Sequence, residues 1–162
     1  MITRLTAAAG LLALSTGLAL AQTPTATPAE PATKADSNMK EWQVAKVAKV
    51  GLAQALATAE SQGDEKGGRA IDADFEKADS KDPAHYAIKV VYPSGKLVEY
   101  GINADTGALY KTENQPIERY FTRLKASDFQ NAKTSLKDAL AIAEQKAGGG
   151  KAYEAEVEKD GS

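Results

Sequence analysis

The side chains best suited to chemistry in this sequence are one histidine and two evenly spaced sets of carboxylates. The histidine is His85, and there is no cysteine, which excludes thiol catalysis, disulfides and cysteine-bound metals. A catalytic histidine needs a nucleophile and an orienting partner, and neither stands at a recognisable spacing from His85. We therefore expect His85 to be a solvated residue at the start of a strand, and we expect no catalytic residue.

The carboxylates recur at every second position in two stretches of the chain. They are Asp72, Asp74 and Glu76 in the first stretch and Glu154, Glu156 and Glu158 in the second. Residues two apart on a strand share a face, so each set predicts an acidic stripe. Such a stripe could bind a hard cation or a basic partner, but a solvated strand face is the simpler interpretation. No calcium-loop spacing is present, and we expect no metal site and no cofactor.

The overall charge excludes one large class of partners. Of 162 residues, 20 are Lys or Arg and 22 are Asp or Glu, which gives a net charge of −2. Nucleic-acid binding requires clustered basic side chains, so we expect no nucleic-acid partner. Glycine runs at 67–68 and 148–150 lack the Lys and Ser/Thr of a phosphate-binding loop, and we interpret them as ordinary loops.

Residues 1–21 have the organisation of a cleaved export signal. Arg4 is the only charge, an apolar stretch follows it, and Ala19 and Ala21 form an A-x-A cleavage site. Residues 22–38 are rich in Pro, Thr and Ala and have no large apolar side chain, so they predict a disordered linker. We expect a periplasmic or secreted protein without stable membrane insertion after signal cleavage.

Two stretches of the remaining chain resemble each other. GLAQALATAES at 51–61 aligns with SLKDALAIAEQ at 135–145, and GRAIDADFEK at 68–77 aligns with GKAYEAEVEK at 150–159. About half of the aligned positions are identical, and the carboxylates keep their spacing. This similarity predicts an internal duplication that makes two related subdomains.

Each copy begins with a helical pattern and continues with strand patterns. Leu52, Ala55 and Leu56 share a helical face, and three later segments alternate with period two. Turns at Pro93-Ser94-Gly95 and Asp105-Thr106-Gly107 follow the second and third segments. The pattern predicts an α+β fold, with one helix packed on a three-stranded antiparallel β-meander whose outer face is solvated. The predicted core is Leu56, Phe75, Ile88, Val90, Tyr100 and Ile102.

The predicted organisation has two subdomains. The first spans 39–112 and begins with a helical lead-in. A connecting helical segment at 113–134 follows, in which Ile117, Tyr120, Phe121 and Leu124 share a face. The second subdomain spans 135–162 and stops after its first strand, so we expect it to be truncated.

The first copy resembles the PepSY domain, a family named for peptidase propeptides and a YpeB-type sporulation protein. The resemblance rests on Gln54-Ala55-Leu56 with Ala59, on the strand after Gly68 and on the ending Ile102–Leu109. Asp105, Thr106 and Gly107 match the family's turn, which is structural. The resemblance implies an extracytoplasmic, non-catalytic module that accompanies peptidases or stands alone and restrains protease activity.

The incomplete second copy suggests where a partner binds. A strand at 152–159 that lacks neighbours would expose an edge, with Tyr153, Ala155 and Val157 as the partner edge. The expected partner is a peptidase or another envelope protein. The alternative is a periplasmic protein that binds a small ligand or a divalent metal through the acidic strand faces, and a structural envelope role is a third reading.

Overall fold

The computed structural model describes residues 38–116 and 124–159. Its elements are α1 (Glu41–Val47), α2 (Leu52–Glu60), β1 (Arg69–Glu76), β2 (His85–Val91), β3 (Leu97–Asn103), β4 (Leu109–Asn114), α3 (Ala126–Gln130), α4 (Leu136–Lys146) and β5 (Glu154–Glu156). The predicted export signal and linker, and most of the predicted amphipathic face in the connecting segment, lie outside the described residues. Within the described ranges, no helix is both long enough and apolar enough to cross a membrane.

The strands form one antiparallel sheet in the order β4-β3-β2-β1-β5. The α+β class and the three strands β1, β2 and β3 are confirmed, but the predicted three-stranded sheet is wrong because two further strands extend it. Side chains of β4 are mostly exposed, so that strand has no apolar alternation that could reveal it. The other added strand, β5, pairs with β1 at the opposite edge of the same sheet.

Helices α1 and α2 cover one face of this sheet and enclose the main core. Apolar positions on α2 recur at helical spacing, so one stripe of that helix faces the strands. All six predicted core residues belong to this buried cluster, and Leu56, Ile88 and Ile102 have no exposed surface. The predicted core is therefore confirmed, and it fixes which way β1, β2 and β3 present their side chains.

The opposite face of the sheet is only partly solvated, which corrects the prediction of a fully wet face. A second buried cluster there contains Ile71, Val91, Leu97 and Phe129 of α3. The register of β1 against β2 shifts between Ala70 and Asp72, so Ile71 is an inserted residue. Such a bulge changes the face on which a side chain stands. The simple alternation along β1 could not show this.

The hairpin between β2 and β3 is built as its residues predict. Gly95 has a φ of +81°, which a residue without Cβ adopts at little cost. Its N–H donates to the carbonyl of Tyr92 at 2.7 Å. This turn fixes the register of the two central strands.

Candidate functional site

The turn Asp105-Thr106-Gly107 is used to connect β3 to β4. Asn103 Oδ1 accepts hydrogen bonds from the N–H groups of Asp105 and Thr106, both at 2.9 Å. Gly107 has a φ of +73°, and its N–H donates to the Asn103 carbonyl at 2.8 Å. The asparagine side chain therefore organises the turn in the manner expected of an Asx turn. The hydrogen-bonding groups of this turn are used within the turn itself, and the turn positions the β3–β4 hairpin beside α2.

His85 is buried, with 4% of its surface exposed, so the prediction of a solvated histidine is wrong. Its Nδ1 lies 2.8 Å from the Pro83 carbonyl oxygen, and its Nε2 lies 3.3 Å from Glu76 Oε2. Tyr110 packs edge-on against the imidazole, with 4.9 Å between ring centroids. Tyr110 lies on β4, and the sequence did not reveal the strand that covers the histidine. Both ring nitrogens face acceptor oxygens, so the imidazole links the end of β1 to the start of β2.

Tyr110 is the one described residue with a buried side-chain oxygen that lacks a hydrogen-bond partner among the described residues. Burial, together with nearby carboxylates such as Asp82 and Glu76, raises the pKa of Tyr110 to about 12. Its hydroxyl therefore stays protonated at neutral pH. The ring packs close to Gly101, where an added Cβ would collide with it. Tyr110 acts as a cover over the sheet rather than as a proton donor at an open site.

The pairing of β5 with β1 determines which backbone groups remain at the sheet edge. Phe75 N–H donates to the Tyr153 carbonyl at 3.0 Å, and Val157 N–H donates to the Ile71 carbonyl at 2.8 Å. Backbone groups on successive residues of a strand point to opposite sides. The groups of Tyr153 and Val157 are therefore used against β1. The backbone N–H and C=O groups of Glu154 and Glu156, which alternate with these residues along the strand, point outward.

The predicted partner edge thus lies at the sheet edge, but its open groups belong to different residues. Of the predicted Tyr153, Ala155 and Val157, Ala155 pairs with Ala73 of β1. Glu154 and Glu156 supply the outward groups, and no described residue is hydrogen-bonded to them across that edge. This distinction depends on the register against β1, which the sequence alone does not specify.

The two predicted acidic stripes become one patch across β1 and β5. This acidic patch consists of Asp72, Asp74, Glu154 and Glu156, with Asp72 opposite Glu156 and Asp74 opposite Glu154. Burial, followed by the charges of Asp72 and Glu154, raises the pKa of Asp74. Lys89 Nζ lies 2.9 Å from Asp72 Oδ2 and compensates part of the charge.

The other two predicted carboxylates lie outside the acidic patch. Glu76 contacts His85, and Glu158 lies beyond the three paired residues of β5. In the part of the chain that the structure describes, no group of three or more His, Cys, Asp or Glu side chains is arranged to hold a metal ion.

Two helix–strand units meet at the β1–β5 pair. The first unit is α2 with β1, and the second unit is α4 with β5. In the first, Glu60 Oε1 accepts the Ala70 N–H at 2.9 Å, and in the second, Glu144 Oε1 accepts the Ala152 N–H at 2.8 Å. These residues are aligned with each other in the sequence comparison. The helix is thus tied to the start of its strand by the same bond in both units.

The backbone pairing between β1 and β5 is close to two-fold around Ala73 and Ala155. Ala73 and Ala155 occupy aligned positions and pair with each other at the centre of the ladder. The bond from Phe75 to Tyr153 has its counterpart in the bond from Val157 to Ile71. Helices α2 and α4 also contact each other. The outer edge of β5 therefore corresponds to the edge of β1 that β2 occupies.

The units differ in how far their helices are covered. Ala55 and Ala59 of α2 are completely buried, whereas the aligned Ala139 and Ala143 of α4 are exposed. Strands β2 and β3 lie under α2, but no described strand lies beyond β5. Ile142, on the same side of α4 as these alanines, is 51% exposed.

We call the resulting surface the β5 edge. It consists of the outward backbone groups of Glu154 and Glu156 together with Ala139, Ile142 and Ala143 of α4. The alignment of α2 with α4 indicates that Ala139 and Ala143 stand where α2 has its buried alanines. Their exposure could not be read from the sequence, because it depends on what lies beyond β5.

Comparison with known proteins identifies part of the chain. Residues 49–113 match the PepSY family model, described as "Peptidase propeptide and YPEB domain". PepSY domains are generally non-catalytic, propeptide-like or inhibitor-like modules, and they are commonly extracellular or periplasmic. The matched range contains α2, β1, β2, β3 and all of β4 except Asn114, so it includes the first unit. No curated protein and no solved structure is significantly similar to the chain.

Proposed function

We propose that this protein is an exported, non-catalytic PepSY-type module that binds a peptidase and restrains it through the β5 edge. The match of residues 49–113 to a family of peptidase propeptides supports the class of partner. The outward backbone groups of Glu154 and Glu156 carry the choice of surface. An extended segment of the partner would add to β5 as a further antiparallel strand.

Backbone pairing at this edge cannot supply the whole affinity. A hydrogen bond contributes about 0.5–1.5 kcal/mol net, and only Glu154 and Glu156 offer outward groups within β5. Side-chain contacts must therefore add to the backbone bonds. Charged side chains on an edge strand oppose unspecific pairing between identical chains, so the edge favours a partner whose side chains complement them.

The test is inhibition of peptidases by the full chain and by a variant of the edge. Glu156→Pro removes an outward N–H but leaves the β1-facing groups of Ala155 and Val157 in place. We expect a panel of secreted metallo- and serine peptidases to contain one that the wild-type protein inhibits. Inhibition by Glu156→Pro should be at least about tenfold weaker, because it loses a hydrogen bond and introduces a clash.

Ala155→Pro provides the contrasting variant, since it removes a backbone N–H that faces β1 and should detach β5 from the sheet. Circular dichroism and thermal unfolding report whether each variant keeps its fold. If no peptidase is inhibited, the proposed function is wrong. If Glu156→Pro inhibits as well as the wild type while folded, the β5 edge is not the surface used.

Export is the second part of the proposal, and it rests on the signal-like residues 1–21. The A-x-A pattern at Ala19 and Ala21 favours cleavage after Ala21. The intact mass of protein recovered from periplasm or medium should correspond to a chain beginning at Gln22. A recovered mass that still contains Met1 would contradict export with cleavage.

The internal duplication is also part of the proposal. The shared helix–strand bonds of Glu60 and Glu144 and the aligned pairing of Ala73 with Ala155 support it. The alternative of divalent-metal or small-ligand binding at the acidic patch has less support, because Lys89 already engages Asp72. Isothermal titration with calcium and magnesium separates the two functions, and we expect no saturable heat.

A further inference from the structure

We infer that the β5 edge accepts an extended strand with a small residue, then an aliphatic residue, then a basic residue, with the aliphatic side chain under α4. This inference rests on the proposed function and specifies the segment that the partner must present. It follows from the correspondence between the two units. In the first unit, β2 occupies the outer edge of β1, whereas none of the strands that the structure describes lies beyond β5.

The strand β2 shows what fits against a unit of this kind. On β1, Asp74 is paired with Ala87, Ala73 with Ile88, and Asp72 with Lys89. The aligned positions on β5 are Glu156, Ala155 and Glu154 in the same order. A strand that docks on β5 as β2 docks on β1 therefore places a small, an aliphatic and a basic residue opposite these three.

The basic position is specified by charge. Lys89 forms a 2.9 Å ion pair with Asp72, and both side chains are mostly buried. Glu154 occupies the aligned place, is exposed, and has no ion-pair partner among the residues that the structure describes. It also faces Asp74 across the ladder. A cation opposite Glu154 would offset this repulsion, whereas an acidic residue would increase it.

The aliphatic position is specified by the helix. Ile88 is completely buried in the core that α2 covers. By the alignment of α2 with α4, the corresponding place beside β5 would lie under Ala139 and Ala143, whose small side chains are exposed to solvent. An aliphatic side chain there would remove both alanines from water, just as Ala55 and Ala59 are buried in the same core cluster as Ile88.

A second copy of this chain is a poorer occupant of the same edge. Two β5 edges that paired antiparallel would bring Glu154 and Glu156 of one chain against those of the other. Like charges placed directly opposite one another destabilise a ladder. The charge of the edge therefore favours a basic strand over self-association.

The experiment uses the full chain and a synthetic probe. The probe is a fluorescein-labelled peptide with the sequence of residues 85–91 (HYAIKVV), which copies β2, and binding is followed by fluorescence anisotropy. A second peptide carries Lys89→Glu. The protein variants are Ala143→Arg, which obstructs the inferred site, and Ala141→Arg. Ala141 is also exposed on α4, but it aligns with Ala57, which is exposed on α2, so this matched control should not obstruct.

We expect saturable binding of the copied peptide, with slower hydrogen exchange at the amides of Glu154 and Glu156. Ala143→Arg should weaken binding at least about tenfold through steric exclusion, and Ala141→Arg less than about twofold. Glu154→Lys should weaken binding about fivefold, and the Lys89→Glu peptide should restore it. Both arginine variants lie on exposed positions, so circular dichroism should show a retained fold.

Three results would overturn the inference. The first is no saturable binding of the peptide, and the second is equal weakening by Ala141→Arg and Ala143→Arg. The third is a dimer of the chain, seen by analytical ultracentrifugation, that protects the Glu154 and Glu156 amides. The experiment also distinguishes failure of this inference from failure of the proposed function. If the wild type and Ala143→Arg inhibit a peptidase equally, the protein restrains a peptidase but does not use this site. If the peptide binds but no peptidase is inhibited, the site is correct and the proposed function is wrong.

Discussion

Helices α2 and α4 have closely similar sequences, yet one is core and the other is largely surface. Leu56 and Leu140 are both buried, but Ala55 and Ala59 are enclosed while the aligned alanines of α4 are exposed. The difference comes from the sheet, because β2 and β3 extend under α2. An apolar stripe on a helix therefore predicts a face that can be buried. The neighbouring strands determine whether that face is buried.

The same comparison holds for the bond that links each helix to its strand. Glu60 reaches the N–H of Ala70, which is 4% exposed, whereas Glu144 reaches that of Ala152, which is half-buried. A buried donor that loses its acceptor pays the full desolvation cost, but a partly exposed one can bind water. Equivalent bonds in the two units should therefore differ in their contribution to stability.

The largest expected effect concerns the aligned leucines. Leu56→Ala should reduce the free energy of unfolding by about 2–5 kcal/mol, because it leaves a cavity in an enclosed core. Leu140→Ala should cost no more than the lower end of that range, since Ala139 and Ala143 beside it on α4 are exposed and the site can relax or admit water. Urea unfolding of the full chain followed by circular dichroism measures both. Equal costs for the two substitutions would show that the second unit is as enclosed as the first.

The next effect concerns the two glutamates. Glu60→Ala should cost about 1–3 kcal/mol, because it leaves the buried N–H of Ala70 without an acceptor. Glu144→Ala should cost less than about 1 kcal/mol, since water can reach Ala152. Chemical denaturation gives both values, and the glutamine variants serve as controls that retain an acceptor oxygen. A larger loss for Glu144→Ala than for Glu60→Ala would reverse the comparison.

The sequence was sufficient to locate α2, the three strands β1 to β3 and the hairpin between β2 and β3. Periodicity identified α2 and the three strands β1 to β3, because one face of each is apolar and the six predicted core residues are all large or β-branched. Leu56, Phe75, Ile88 and Tyr100 lie where this pattern predicts. Such a prediction succeeds when burial itself produces the pattern.

The parts that the sequence missed have no such pattern. β4 pairs through its backbone and exposes most side chains, so the cover that Tyr110 gives His85 was not foreseen. Ile71 faces away from the main core because of a bulge in the register. At the candidate site, the alternation in the sequence predicted two acidic stripes. That the stripes lie side by side as one acidic patch depends on the pairing of β5 with β1. These features are set by tertiary register, which a single sequence does not encode locally.

The smallest expected effect tests the repulsion between the two units. Burial and the neighbouring charges of Asp72 and Glu154 raise the pKa of Asp74 above its ordinary 3.8, so the folded protein favours the protonated form. The favourable contribution of that form is fully present below the unfolded pKa and is lost as the pH rises through the folded pKa. Asp74→Asn keeps the position neutral. At pH 7 it should raise the free energy of unfolding by a few tenths to about 1 kcal/mol.

The gain from Asp74→Asn should shrink as the pH falls, because the wild-type carboxyl then becomes neutral as well. Denaturant unfolding at pH 7 and pH 3 gives the comparison, and added salt should reduce the gain at pH 7 by screening. Glu158→Gln is the matched control, since it removes an exposed carboxylate beyond the three paired residues of β5. A loss of stability at pH 7 in Asp74→Asn, or the same gain in Glu158→Gln, would mean that cross-strand repulsion does not weaken the β1–β5 pair. The second unit would then be held on the first without an electrostatic penalty, and a basic strand would have no such penalty to relieve there.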